Sequence, residues 1–257
     1  MSALLTLAIC ATMLGTAFLS GIFGMAGGMI LIGVLLALLP LPEAMVLHGV
    51  TQMASNGWRA ALWIRHVRWV SVVPYALGIV LALWLWSLTR YVPSKPAALL
   101  LLGGMPFAAR LMPARLTPNP ESRVQGVIYG MVCMGLILLT GVAGPLLDTF
   151  FLGSKAFDRK QIVATKAACQ VFGHAAKLVY FGGLIEQAAS LDPVMALLAI
   201  AMSMLGTTLA ANVLDKMTDI QFRRWANRVI TTIASYYVLQ GGYLLLATNA
   251  GFRLGGF

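Results

Sequence analysis

HGVTQMASNGWR (residues 48–59) is followed 118 residues later by KAACQVFGHAAK (residues 166–177), and both stretches space polar residues at i, i+4, i+8 and i+11. These residues are His48, Gln52, Asn56 and Arg59 in the first stretch and Lys166, Gln170, His174 and Lys177 in the second. Residues at this spacing lie along one face of a helix, and we call each set a polar stripe. Buried polar groups in apolar segments are costly and normally face a cavity or one another. The stripes therefore predict a solute pathway built from two related halves.

The composition around the stripes is that of an integral membrane protein. Of the 257 residues, 60% are hydrophobic and 10% are charged, and apolar runs of about 20 residues recur along the chain. The net charge of +10 comes largely from Lys and Arg in the short connections, where lipid head groups explain them, so nucleic acid is not an expected partner. Cys10, Cys133 and Cys169 lack paired spacing, so neither a disulfide framework nor a zinc site is expected.

Hydropathy gives eight apolar segments, of which the first and the fifth are broken. They cover roughly residues 3–39, 44–64, 70–88, 96–112, 124–152, 160–184, 193–212 and 229–248. The first is interrupted by Gly24-Met-Ala-Gly27-Gly28 and the fifth by Gly141-Val-Ala-Gly144-Pro145. Because glycine and proline favour non-helical backbone here, we expect two half-length helices around each break.

The basic residues near the segment ends, Arg59 included, indicate how these segments are oriented. If all eight segments crossed the membrane, six basic residues would lie on one side and nine on the other, Arg253 not counted, and so small a difference would not set an orientation. If the first and fifth segments are re-entrant hairpins, thirteen lie on one side and only Arg90, Lys95 and Arg253 on the other. The positive-inside rule then places the thirteen in the cytoplasm and both termini outside the inner membrane.

This topology defines the predicted fold. The chain is expected to be an all-α polytopic membrane protein with two inverted repeats, each a re-entrant broken-helix hairpin plus three transmembrane helices. Residues 1–112 form the first repeat and residues 124–257 the second. The proline-rich residues 113–123 form a cytoplasmic linker between them.

The stripes and the breaks together favour an anionic substrate. Helix N-termini near residues 26–29 and 143–146 would present backbone N–H groups and a partial positive charge. Lys166 and Lys177 add positive charge without an acid on their stripe, and the stripe amides and His174 can hydrogen-bond the anion's oxygens. The predicted substrate-binding residues are Gly24, Gly27, Gly28, Gln52, Asn56, Gly141, Gly144, Lys166, Gln170, His174 and Lys177. No metal ligand or cofactor is expected.

Several of these residues have a competing interpretation. Arg59 and Lys166 lie near predicted cytoplasmic helix ends, and either snorkel to the head groups or face substrate. His48, near the outer surface, is either an interfacial cap or part of the pathway. His174 is either a core histidine or a site residue, and it is a candidate for proton coupling. Asp148, the acid inside the second hairpin, either couples protons or pairs with a lysine.

A family resemblance rests on the glycine-rich break at residues 21–28, its weaker echo at residues 141–145 and the short duplicated chain. These features resemble the sulfite exporter TauE/SafE family, and the resemblance covers essentially the whole chain. It implies a bacterial-type plasma membrane protein that moves sulfite, sulfoacetate or related small sulfur-containing and organic anions, mostly outward. Alternating access of the two repeats around a central site is the expected mechanism.

Two other classes of protein are weighed against this one. An anion channel would share the buried polar faces. An intramembrane enzyme could use Ser20 beside the first break with His174, but the chain lacks a glycine-serine-glycine elbow. No phosphate-binding loop ending in Gly-Lys-Ser or Gly-Lys-Thr is present, so transport is expected to be gradient-driven or passive. The sequence leaves open a homo-oligomer.

Overall fold

The computed structural model of the chain is built from helices. It describes residues 3–23, 26–111, 119–152, 157–184 and 192–249. Within these residues there are ten α-helices and no strand, with a 3₁₀ turn at Ile64–His66 and a π-helical turn at Tyr180–Leu184. The helices are α1 (Ala3–Phe23), α2 (Ala26–Leu38), α3 (Leu41–Leu62), α4 (Trp69–Ser87), α5 (Lys95–Arg110), α6 (Arg123–Thr140), α7 (Gly144–Leu152), α8 (Arg159–Val179), α9 (Pro193–Lys216) and α10 (Asp219–Asn249). The all-α prediction is confirmed.

Five of the described helices are long and apolar enough to cross a membrane, namely α1, α4, α6, α9 and α10. Helix α2 is shorter, and so is the apolar part of α5. Helices α3 and α8, with 22 and 21 residues, match the spanning helices in length but carry the polar stripes, which lower their hydropathy. The chain is a multi-pass membrane protein, as its composition predicts.

Described helices end and begin at both glycine clusters, with residues 24 and 25 of the first cluster outside the described residues, but the flanking helices are unequal. Helix α1 has 21 residues before the first break and α2 has 13 after it. Helix α6 has 18 residues before the second break and α7 has nine. At about 1.5 Å per residue, α1 and α6 are close to the thickness of a bilayer core. The prediction of half-length helices is therefore wrong for α1 and α6, whereas α2 and α7 are short.

Helix packing explains why α1 continues through its internal glycine. A Cβ atom at Gly21 would overlap the side chain of Ala210 on α9, so the glycine lets the two helices approach closely without ending α1. Gly130 has the same role in α6, because a Cβ there would overlap the carbonyl oxygen of Tyr75 on α4. Hydropathy alone does not distinguish a glycine at a helix contact from a glycine at a break.

The packing partners of the helices repeat between the two ends of the chain. Helix α1 packs on α9, and α6 packs on α4. Suppose that α6–α10 repeat α1–α5 in order, so that α6 corresponds to α1 and α9 to α4. The pair α1–α9 then corresponds to the pair α6–α4. In two further pairs, α3 with α8 and α5 with α10, each helix packs on its own counterpart. This is the pattern of packing partners that a duplicated chain with interlocked halves would have. The inverted orientation of the repeats stays a prediction.

The predicted linker, residues 113–123, is described only from Asn119 onwards. Ser122 caps α6 by accepting a hydrogen bond from the Gln125 N–H group, and Glu121 forms an ion pair with Arg68 at the start of α4. The first two residues and residues 250–257 lie outside the described part of the chain. The placement of both termini on the outer side of the inner membrane stays a prediction.

Candidate functional site between helices α3 and α8

Helices α3 and α8 pack against each other and run in opposite directions. Near one end of their contact, a Cβ atom at Gly49 would meet Leu178, and further along a Cβ atom at Gly57 would meet Val171. Residue numbers thus rise along α3 as they fall along α8. The two polar stripes lie in this contact, which we call the seam.

The antiparallel register aligns each stripe residue with one from the other helix. His48 meets Lys177 directly. The same register sets the two stripe amides of α3 level with His174 and Gln170 of α8, and Arg59 level with Lys166. The rings of His48 and His174 are 5.5 Å apart in an edge-to-face arrangement. The duplicated stripe is therefore self-complementary when two copies pack head to tail, with basic residues at both ends and three amides and His174 between them.

Every stripe side chain is buried, with an exposed fraction between 0% and 7%. Arg59 and Lys166 are each 1% exposed, so the interpretation that they snorkel to the head groups is wrong for this conformation. Among the side chains that the structure describes, the buried polar set holds three cations, Arg59, Lys166 and Lys177, and no carboxylate. A protein interior of this kind attracts negative charge.

At one end of the seam, a chain of hydrogen bonds joins the two breaks. Lys177 Nζ donates to Nδ1 of His48 at 2.7 Å and to the carbonyl oxygen of Gly141 at 3.1 Å. His48 Nε2 in turn donates to the carbonyl oxygen of Gly28 at 2.9 Å. This arrangement requires the neutral imidazole with its proton on Nε2. His48 is therefore not an interfacial cap but a link between the first break and Lys177.

At the other end of the seam, Arg59 is held by its own helix. Its guanidinium donates to Asn56 Oδ1 at 3.0 Å and to Ser55 Oγ at 3.2 Å. Ser55 also bonds Thr207 Oγ1 of α9 at 2.9 Å. Ser55 lies one helical turn before Arg59, so the sequence could have shown it. Thr207 could not have been found, because it stands beside Thr208 in an apolar segment and nothing in the local sequence shows which of the two faces α3.

Between these two ends, several buried polar atoms have no hydrogen-bond partner in the described part of the chain. They are Nε2 of Gln52, Oε1 of Gln170 and Nδ1 of His174. The Gln52 amide lies against Gly28, where any larger side chain would press on it. Buried polar groups normally bond to protein or to an ordered ligand. The middle of the seam thus offers both donors and acceptors to a small polar molecule.

The second break is shaped by a left-handed glycine. Gly141 has φ +88° and closes α6 with a hydrogen bond from its N–H to the Ile137 carbonyl at 2.8 Å. The Thr140 hydroxyl donates to the Val142 carbonyl at 2.7 Å, which fixes the turn before Gly144 begins α7. At the first break, Gly27 packs so closely that a Cβ atom would overlap the Thr16 carbonyl oxygen.

The remaining predicted residues are only partly placed. Gly24 and the side chain of Asp148 lie outside the described residues. Ser20 is buried beside Gly27, and its hydroxyl has no hydrogen-bond partner within the described residues, so the base that a serine nucleophile needs is not seen there. In the same part of the chain, no group of His, Cys, Asp and Glu residues could hold a metal ion. The three cysteines are free, with Cys133 and Cys169 buried in the core.

Comparison with known proteins gives one match. The family model "Sulfite exporter TauE/SafE" matches residues 8–237, nearly the whole chain. No curated protein and no solved structure matches the chain. The matched family is one of membrane transporters rather than enzymes. With its apolar helices and a buried polar seam over the matched residues, this chain belongs to the sulfite exporter TauE/SafE family.

Proposed function

We propose that the protein is a secondary transporter that exports a small sulfur-containing or organic anion, such as sulfite or an organosulfonate, across the inner membrane. The observation that carries the proposal is the seam, where buried cations, and polar atoms without a described partner, lie in one helix contact that reaches both helix breaks at one end. The family supplies the transporter class. The choice of substrate and the outward direction belong to the proposal.

The charge of Lys177 favours an anion over a cation or a neutral solute. Its two described partners, His48 and the Gly141 carbonyl, are both neutral, so neither cancels the ammonium charge. A buried charge that keeps neutral partners is costly unless a counter-ion enters the site. An oxyanion of small size would meet that need and would leave again when the site opens.

The middle of the seam is the proposed site for the anion's oxygens. We assign hydrogen bonding to Gln52, Asn56, Gln170 and His174 and charge compensation to Lys166 and Lys177. The backbone at Gly27 and Gly28 and at Gly141 and Gly144 frames the site, since both breaks are joined through the His48–Lys177 bond. Gly24, which lies outside the described residues, stays a predicted member of the site.

Alternating access of two inverted repeats is the proposed mechanism. The equivalence of helix pairs α1–α9 and α6–α4 supports a duplicated chain, and the surplus of basic residues supports a cytoplasmic linker. Cysteines introduced at Ser94 and at Ser154, after replacement of the three natural cysteines, test this topology. Labelling of residue 94 from outside and residue 154 from inside is expected. Labelling of both from the same side would contradict the hairpin and with it the inverted repeat.

Flux into and out of proteoliposomes tests the function. Sulfite, sulfoacetate, taurine and simple carboxylates are supplied with and without a pH gradient, beside protein-free vesicles. Saturable flux of a sulfur-containing anion is expected, and stimulation by the gradient would assign proton coupling, for which His174 and Asp148 are the candidates. Flux that rises linearly with concentration would favour the channel alternative. No flux of any anion would overturn the substrate class.

A further inference from the structure

His48 touches both Lys177 and the first break. Its ring is fully buried, its Nε2 reaches the Gly28 carbonyl, and its Nδ1 lies 2.7 Å from the ammonium nitrogen. A neutral imidazole has one donor and one acceptor, and both are used here. Both ring nitrogens of His48 are therefore occupied by hydrogen bonds to protein groups.

A lysine side chain needs such support to carry its charge in a fixed place. Its four-carbon stem has many rotamers, and the ammonium group has no preferred plane of approach. Lys177 is held at two points, on α3 by His48 and at the second break by the Gly141 carbonyl. Without the first of these, one described contact would remain, and the ammonium could turn about it.

We propose that His48 is a positioning residue, which through Nδ1 holds the Lys177 ammonium between the two breaks where this charge meets the anion. The inference rests on the proposed function of anion transport. It assigns His48 no contact with substrate, because both ring nitrogens already bond to protein groups. A substitution of His48 should then weaken anion binding only when Lys177 is present.

Two substitutions separate the nitrogens of the ring. In His48→Gln the side-chain amide retains a donor at the reach of Nε2, whereas in His48→Asn it retains an oxygen at the reach of Nδ1. The affinity of the full-length protein in detergent for sulfite and sulfoacetate is measured by thermal-shift titration. We expect about a tenfold loss for His48→Gln and less than about threefold for His48→Asn, since only the latter keeps the acceptor for Lys177. His66→Gln, in the 3₁₀ turn outside the seam, is the matched control.

A double variant distinguishes positioning from general loss of structure. His48→Gln added to Lys177→Met should bind no more weakly than Lys177→Met alone, because the group it positions is already gone. A further loss in the double variant, or equal losses in both His48 variants, would overturn the inference. If His48→Gln aggregates, His48→Asn still decides, since a tenfold loss there is contrary to the proposal. A wild-type protein that responds to neither anion would overturn the proposed function as well.

Discussion

The two ends of the seam carry similar charge and use it differently. At one end, Lys177 bonds across to His48 on α3 and to the second break, so that α3, α8 and both breaks are joined. At the other end, Arg59 donates to Asn56 and Ser55 of its own helix, and Ser55 in turn bonds a threonine of α9. A repeated sequence pattern has therefore produced one end where a cation directly links both helices and both breaks, and one where the described bonds of the cation brace its own helix.

This difference teaches that spacing sets which residues meet, while side-chain type sets what they do. Lys177 has three donors on one atom and a long stem, which suits a link between several elements. Arg59, at the equivalent stripe position, has a planar group with five donors that fits neighbours on its own helix. The repeats are alike in pattern but not in chemistry, and the following variants test that contrast.

The largest effect is expected from Lys177→Met, which keeps the length of the side chain and removes the charge. Loss of a charged hydrogen-bonding group at the linked end should lower anion flux by about tenfold to a hundredfold. Proteoliposome flux at matched protein density measures it. Lys216→Met, at the exposed end of α9, is the matched control and should transport normally. Equal flux in both variants would remove Lys177 from the site.

A smaller effect on transport is expected at the braced end. Arg59→Met removes hydrogen bonds to Asn56 and Ser55 and should lower the free energy of unfolding by about 1–3 kcal/mol, because buried partners lose a charged donor. Flux should fall less than in Lys177→Met. Thermal unfolding in detergent, read beside the flux assay, gives both numbers. A loss of flux as large as that of Lys177→Met would show that the two ends of the seam are equally important for transport.

The backbone of the second break should be sensitive to a single methyl group. Gly141→Ala places a Cβ on left-handed backbone and against Ile32, so a loss of about 1–2 kcal/mol in the free energy of unfolding is expected. Gly104→Ala in α5 meets nothing within 4 Å and is the matched control, expected to leave the unfolding midpoint unchanged or to raise it. Equal midpoints for the two variants would mean that the turn relaxes without cost.

The smallest effect is expected from an ion pair outside the seam. Arg68 and Glu121 are 3.0 Å apart, with side chains 44% and 43% exposed. Exposed pairs of this kind contribute about 0–1 kcal/mol and are screened by salt. Glu121→Gln should therefore shift the unfolding midpoint little, and less at high salt. A shift as large as that of Arg59→Met would show that burial does not make the seam charges contribute more to stability than the surface charges.

The sequence was informative about the fold where a local pattern determines it. The i, i+4, i+8, i+11 spacing placed both stripes on helices, and the glycine clusters marked both breaks. The roles of Gly21 and Gly130 were not predictable, because both glycines serve helix contacts. Such contacts depend on a partner helix far along the chain, which local sequence does not reveal.

The sequence predicted which residues form the candidate site better than it predicted their hydrogen bonds and burial. The stripes identified the polar side chains that meet in the seam. The burial of His48 and Arg59 was not foreseen, since the depth of a residue depends on the tilt and packing of its helix as well as on its distance from the helix end. The bond from Lys177 to the Gly141 carbonyl depends on the exact turn at the second break, which spacing does not define.

The pairing of α1 with α9 and of α6 with α4 has a consequence for how such a chain can be divided. Neither the first five helices nor the last five cover their own glycine-lined contact faces, because each set uses the other for that purpose. A half produced alone would have to find a second molecule in the same bilayer. A cut in the linker should therefore be tolerated far better than the loss of either half.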